Sequence, residues 1–254
     1  MKKKMLVNVV EPEESRIAIL EDGVLEELYI ERISREQIAG NIYKGRVVNI
    51  EQSIEAAFVD IGLAKNGFLH ASDVRSLSGN GEQLNDDASK IRGNKVSIKS
   101  LLKLNQEVLV QVIKEGMGDK GPSLTTFISI PGRYLVLTPD VKRVGISRKI
   151  PDEAERKRLK QIIEELKPPP NIGFIVRTAG ENQTKRELSR DLNYLQKLWK
   201  VIDAKAEKSG APSPIYQESD LVIRTIRDIF TTDIDEIIID SEGVFKKIRY
   251  FLRL

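Results

Sequence analysis

The 254 residues contain no cysteine, so disulfides and thiolate metal sites are excluded. Histidine is almost missing as well. His70 stands alone, which leaves a His-based triad or a multi-His zinc site with at most one of its ligands. Long apolar runs are absent. The longest stretches, such as Ile237-Ile238-Ile239, are far too short to cross a bilayer. The opening Met1-Lys2-Lys3-Lys4-Met5 is basic, but the residues after it alternate and soon turn acidic, unlike the unbroken apolar core of a signal peptide. A cytoplasmic protein is expected. There is no Walker-type phosphate loop and no Gly-x-Ser-x-Gly nucleophile elbow. An excess of one charge is also lacking. Lys and Arg total 41 against 38 Asp and Glu, a net +3 that only weakly favours a nucleic-acid partner. What is present, 40% hydrophobic and 31% charged residues, describes a soluble globular chain long enough for one large or two to three small domains.

Three strands open the chain, Met5–Val10, Ser15–Leu20 and Val24–Ile30, the last two joined by the hairpin signal Asp22-Gly23. Ile42–Ile50, Glu55–Gly62 and Asn66–His70 come next as short strands broken by glycine, the pattern of a small closed barrel. From Ser76 to Ser100 large apolar residues become few, and the segment reads as a mobile insertion. Strands resume at Glu107–Ile113, with a Gly/Lys loop over Lys114–Gly121, and two more are expected around Pro131-Gly132, in Thr125–Ser129 and Tyr134–Leu137. Asp152–Leu166 carries Leu159, Ile162, Ile163 and Leu166 at helical spacing and stops at Pro168-Pro169-Pro170. Gly173–Thr178 is a strand. Thr184 and Glu187 form a capping box before a helix striped with Leu188, Leu192, Leu195, Trp199 and Ile202. Ser209–Pro214 reads as a linker. The last forty residues read helix, strand, helix: Ser219–Phe230, Glu236–Asp240 and Val244–Leu252. Three antiparallel strands at the start and αβα at the end make most of an RNase H-like βββαβα order. The simplest account is one domain interrupted by two insertions, with its final strand or strands beyond Leu254.

Six motifs give this organisation names. Asn41-Ile42-Tyr43-Lys44-Gly45, Glu55-Ala56-Ala57-Phe58-Val59-Asp60 and Gly67-Phe68-Leu69 resemble the S1 RNA-binding domain of the ribonuclease E/G family. Thr125-Thr126-Phe127-Ile128-Ser129, Gly145-Ile146-Ser147-Arg148 and Val176-Arg177-Thr178-Ala179-Gly180 resemble that family's 5′-sensor region, and all six stand in the family's order. The resemblance implies an α+β multidomain fold. A split RNase H-like domain would occupy residues 1–38 and 215–254, the second part incomplete. An inserted five-stranded S1 barrel of the OB type would occupy 39–124, with the insertion at about 76–100, and an inserted α/β 5′-sensor domain 125–210. The family cleaves single-stranded RNA in RNA processing and decay. Its magnesium-binding carboxylates and zinc-linking cysteines lie in a DNase I-like region that no residue here matches. No cofactor is therefore expected in this chain, no catalytic residue is assigned, and the chain by itself is expected to be inactive.

The resemblance also implies two sites. Single-stranded RNA is bound by stacking bases on exposed aromatics beside a basic track. Phe58 and Phe68 match the stacking positions and Lys120 a basic contact, while Lys44 and Arg46 offer further phosphate contacts. Read without the family, both rings are barrel core, as most aromatics are. Tyr43 and His70 flank the surface or serve structure. Ile61 offers no ring where some family members carry one. A 5′-monophosphate calls for a bidentate cation with hydroxyl and amide donors. The resemblance puts Arg177 and Thr178 in that role, with Gly132 and Val136 shaping the pocket for the terminal nucleotide. A cluster of Asp233, Asp235, Glu236 and Asp240 invites a two-metal reading, but these residues border a short strand and suit a turn or solvated edge. The basic run Arg156-Lys157-Arg158 reads as the polar face of a helix. The function expected is binding of single-stranded RNA with 5′-monophosphate sensing. The alternatives are a non-catalytic RNA-binding adaptor or assembly module, and a nuclease using the carboxylates present.

Overall fold

The computed structural model describes residues 2–11, 13–32, 38–75, 97–139, 144–169, 171–217, 221–229 and 234–253. It divides into two compact units. One comprises Met1–Gln37, Ile130–Leu198 and Ser219–Leu254, the other Ile38–Ser129 and Trp199–Glu218.

Alternation with period two sets the opening meander. Strands β1 (Lys3–Asn8), β2 (Glu14–Glu21) and β3 (Val24–Arg32) pair antiparallel. Met5, Val7, Ile17 and Ile19 point to one face and are buried. At roughly 1.5–3 kcal/mol for each fully buried side chain, that face needs a covering layer. The β2–β3 turn places Asp22 at φ 49° and Gly23 at φ 86°. Two successive left-handed residues make the primed turn whose twist suits a hairpin.

The second unit holds a barrel of β4 (Ile42–Glu51), β5 (Ala56–Asp60), β6 (Gly67–His70), β7 (Glu107–Lys114) and β8 (Ser123–Thr125). Neighbours run β4-β5-β6-β8-β7, and β4 pairs again with β7, which closes the sheet on itself. All pairs are antiparallel except β6 with β8. Val47, Ala57, Val59, Ile61, Leu69, Val110, Val112 and Leu124 fill the interior. Gly67 is required by this packing, because a Cβ there would lie 2.3 Å from Leu124 Cδ1. Residues 76–96 of the expected Ser76–Ser100 insertion lie outside the described residues. Its end is not loop. Helix α1 (Ile98–Leu101) buries Ile98 in the barrel core together with Leu102, so these apolar residues were drawn into the barrel despite their polar surroundings.

In the first unit, β9 (Ile130–Pro131), β10 (Leu135–Pro139), β11 (Val144–Ile146) and β12 (Ile172–Val176) form a sheet in the order β11-β12-β10-β9. Helix α2 (Glu153–Glu165) is capped by Asp152, whose side chain accepts from Ala154 N–H. Leu159 and Ile163 are its buried apolar positions. The capping box is reciprocal. Thr184 N–H donates to Glu187 Oε2 at 3.0 Å and Glu187 N–H to Thr184 Oγ1 at 3.3 Å, opening helix α3 (Lys185–Lys208). Leu188, Leu192, Leu195 and Ile202 are buried along it.

Two expectations fail here. Thr126–Ser129 is not a strand; it straps onto the barrel, with Thr126 N–H donating to Asp73 O at 2.8 Å and Ser129 N–H to the buried Gln111 Oε1 at 2.8 Å. Its backbone N–H groups go to single carbonyls and to the side chains of Thr125 and Gln111, and not to a ladder. Ser209–Pro214 is not a linker either. Strand β13 (Ser213–Tyr216) pairs with β4 as a sixth strand on the barrel sheet, a proline-bearing edge strand of the kind a Ser/Pro/Gly composition hides.

Helix α4 (Leu221–Ile229), strand β14 (Ile234–Ile239) and helix α5 (Glu242–Arg253) end the chain. Strand β14 lies parallel to β1, pairing Leu6 with Ile238, and gives the order β14-β1-β2-β3. Val222, Ile226 and Ile248 pack on Met5, Val7, Ile17 and Ile19 as the layer the meander lacked. The two ends of the chain therefore share one sheet and one core.

Candidate functional site

Residues on β5 alternate, so Ala57 and Val59 enter the barrel core and Phe58 faces out. Phe58 pairs with Asn49 on one side and Phe68 on the other, Phe68 pairs with Ser123, and Ser123 with Lys114. The two rings meet edge to face with centroids 6.0 Å apart, and both are only partly buried. The core reading of Phe58 and Phe68 is thereby replaced by a surface pair on one cross-strand row. Exposed Asn49 and Lys114 share that row and were missed; the signal lay in strand register, which one strand read alone does not carry.

Lys120 is exposed in the loop between β7 and β8, the loop that enters β8 beside Phe68. Lys65 Nζ donates to Gly118 O at 2.5 Å and lies 3.6 Å from Asp119, and Gly121 sits so close to Asn66 that a Cβ would be 1.9 Å from its carbonyl oxygen. These contacts fix the loop that carries Lys120.

Lys44 and Arg46 are both held in place by other groups of their own unit. Lys44 Nζ donates to Ala206 O at 3.0 Å and Ser209 O at 2.8 Å and pairs with Glu107 at 3.2 Å. Arg46 bonds Glu107 at 3.2 Å and Ala211 O at 2.9 Å. Both tie β4 to the end of α3 and the residues before β13. Tyr43 is buried in the barrel core and Ile61 is 1% exposed, so neither is a platform position. His70 caps a short turn, its Nδ1 accepting from Ser72 N–H at 3.2 Å.

The second cluster lies where β12 ends. Arg177 N–H donates to Tyr134 O at 2.8 Å, and its guanidinium Nη1 to Gly132 O at 2.7 Å and Arg133 O at 3.5 Å. Thr178 is exposed, with its hydroxyl 3.3 Å from Ser147 Oγ. Val136, Ser147, Lys149, Ile175, Arg177 and Thr178 are among the residues that line a depression of about 420 Å³. The structure thus gathers Arg177, Thr178 and Val136. Gly132 does not line the depression. It offers its carbonyl to Arg177, and its missing Cβ makes room for Asp191, whose carboxylate oxygens would stand 2.7 Å from that Cβ. Ser147 and Lys149 were overlooked as site residues, although Ser147 belongs to a motif already singled out.

Asp191, on α3, accepts from the N–H groups of Arg133 at 3.1 Å, Tyr134 at 2.8 Å and Leu135 at 2.8 Å. Burial pushes its carboxyl above the usual range, against the pull of those amides and of Arg177. Glu155 shows the opposite balance. Arg158, bound at 2.6 and 2.7 Å, holds it below the usual carboxylate range, with help from Asn182 N–H at 2.9 Å.

The acidic cluster is dispersed. Asp233 lies outside the described residues. Asp235 accepts from Lys3 N–H at 2.8 Å, Glu236 pairs with Lys4 at 3.0 Å, and Asp240 accepts from Val9 N–H at 2.9 Å and from Asn8. These carboxylates brace the β1–β14 pairing.

Residues 36–127 match the S1 RNA binding domain and residues 129–254 the ribonuclease E/G family. Over 248 residues the chain is 40% identical to ribonuclease G of Haemophilus influenzae, covering 98% of this chain and 49% of that protein. It is 42% identical over 253 residues to ribonuclease E of the same organism, covering 99% and 26%. Against ribonuclease G of Escherichia coli the identity is 39% over 251 residues, covering 99% and 50%. The chain spans about half the length of the ribonuclease G relatives and about a quarter of that ribonuclease E. The barrel is an RNA-binding S1 domain. Among the described residues, no helix is long and apolar enough to cross a membrane.

Proposed function

The chain belongs to the ribonuclease E/G family, and from that premise we propose that it holds single-stranded RNA on the Phe58–Phe68 face and reads a 5′-monophosphate in the Arg177 pocket. The observation that carries this reading is the set of donors around one open depression: a guanidinium, an ammonium and two hydroxyls, from Arg177, Lys149, Thr178 and Ser147, beside apolar Val136 and Ile175. A terminal phosphate carries close to two negative charges and three acceptor oxygens, which match a fork-shaped cation and hydroxyl donors. The apolar wall suits the first nucleoside. On the barrel, base stacking supplies affinity that does not depend on sequence, and Lys120 and Lys114 supply the backbone charge. In this proposal the metal-dependent cleavage of the family, with its magnesium and zinc, is the work of residues outside this chain.

Binding of a short single-stranded RNA carrying a 5′-monophosphate or a 5′-hydroxyl, at fixed low salt, tests the proposal. Arg177→Ala should lower affinity for the monophosphate roughly tenfold to a hundredfold, the worth of a charge-assisted hydrogen bond, and leave the hydroxyl form unchanged. Equal affinities of the unaltered chain for the two RNAs would overturn the sensor reading while leaving the RNA-binding barrel in place.

A further inference from the structure

We infer that Asp191 is a positioning residue that orients Arg177 through three successive peptide groups, a reading that rests on the phosphate role proposed for Arg177. In the Gly132–Arg133 peptide, the N–H donates to Asp191 at 3.1 Å and the carbonyl accepts from Arg177 Nη1 at 2.7 Å. The Arg133–Tyr134 peptide repeats this, with its N–H on Asp191 at 2.8 Å and its carbonyl 3.5 Å from the same Nη1. The Tyr134–Leu135 peptide does so a third time, donating to Asp191 at 2.8 Å and accepting from the backbone N–H of Arg177 at 2.8 Å. Each peptide dipole therefore has its positive end on a carboxylate and its negative end towards Arg177. The carboxylate and the guanidinium form an ion pair bridged by backbone, and every link polarises the next.

This arrangement has a consequence for recognition. A direct carboxylate–guanidinium contact would occupy the fork that a phosphate needs. The bridge places the carboxylate of Asp191 on the amide side of the loop and the guanidinium of Arg177 on its carbonyl side. Holding the side chain in place beforehand removes part of the ordering cost of binding. The same bridge explains Gly132. Its side of the loop faces Asp191, and a Cβ would lie 2.7 Å from both carboxylate oxygens. Glycine at this position thus admits the carboxylate and does not shape the nucleotide pocket.

The test uses the whole chain. Proton exchange of the Arg177 guanidinium, followed by nuclear magnetic resonance without RNA, reads the bridge directly. Asp191→Asn should speed that exchange roughly tenfold, as expected when one charge-assisted link is lost. The same variant should lower the preference for 5′-monophosphate over 5′-hydroxyl RNA by a similar factor, with binding of the hydroxyl form unchanged. Gly132→Ala should reproduce both effects by displacing the carboxylate, and it serves as the second variant if Asp191→Asn does not fold. Unchanged Arg177 exchange in a folded variant would overturn the inference. An unaltered chain that binds both RNAs equally would overturn the phosphate reading, while the exchange data would still decide the role of Asp191.

Discussion

The barrel face and the depression at Arg177 expose their side chains by opposite means. On the barrel, side chains reach solvent because strand alternation sends them there, and the backbone is fully occupied in ladders. Phe58 is outward because Ala57 and Val59 are inward. In the pocket, the backbone itself is the tool. Three peptide groups of the β9–β10 loop hold Arg177 from one side while Asp191 holds them from the other. A sheet surface tolerates the replacement of one outward ring. A loop whose amides and carbonyls are all assigned does not tolerate the loss of its anchor, because buried amides would be left unpaired. The difference predicts separable failures.

The largest effect should come from the barrel. Removing both rings in a Phe58→Ala, Phe68→Ala chain should weaken RNA binding by about 1–3 kcal/mol for each stacked base. The loss should be equal for 5′-monophosphate and 5′-hydroxyl RNA, as fluorescence anisotropy with both would show. A loss confined to the monophosphate form would break the comparison, for it would place the rings and the pocket in a single site.

Smaller and of the opposite kind is Glu155→Gln in the pocket's own domain, expected to cost roughly 1–3 kcal/mol of stability through the Arg158 and Asn182 contacts. Glu155 is held below its reference value of 4.5. Its contribution is therefore complete above pH 4.5 and is lost as pH falls through the lowered value. Thermal melts of parent and variant should differ most at neutral pH and converge on acidification. A gap that persists in acid would assign the effect to packing instead of charge.

The smallest effect is expected from Lys44→Ala, about 1 kcal/mol of stability with no change in RNA affinity, because Lys44 anchors carbonyls at the end of α3. A several-fold loss of RNA affinity with a shallower salt dependence would return Lys44 to the phosphate track and extend the barrel's surface across β4.

Much of the fold was legible before the structure. The Asp22-Gly23 hairpin, the Thr184/Glu187 box and the α2 cap are local devices, decided by residues within a few positions of one another. Ser209–Pro214 misled because proline, serine and glycine signal a loop equally well in a linker and on an edge strand; only pairing with β4 distinguishes the two. Thr125–Ser129 misled for the same reason, since β-branched residues suit a strand but do not supply a partner.

The sequence by itself determined most of the elements, the aromatic pair and the Arg177-Thr178 dipeptide, because each depends on side-chain type at short spacing. Tertiary structure alone decided which donors remain available to a ligand. Lys44, Arg46 and Lys120 are chemically alike in sequence, yet the first two are held by carbonyls far along the chain and the third stands exposed in the loop before β8. Asp191 lies 14 residues beyond Arg177 and is linked to it through the peptides of residues 132–135. A backbone hydrogen bond depends on where the chain passes and not on which side chain it carries, so no reading of residue types could have located it.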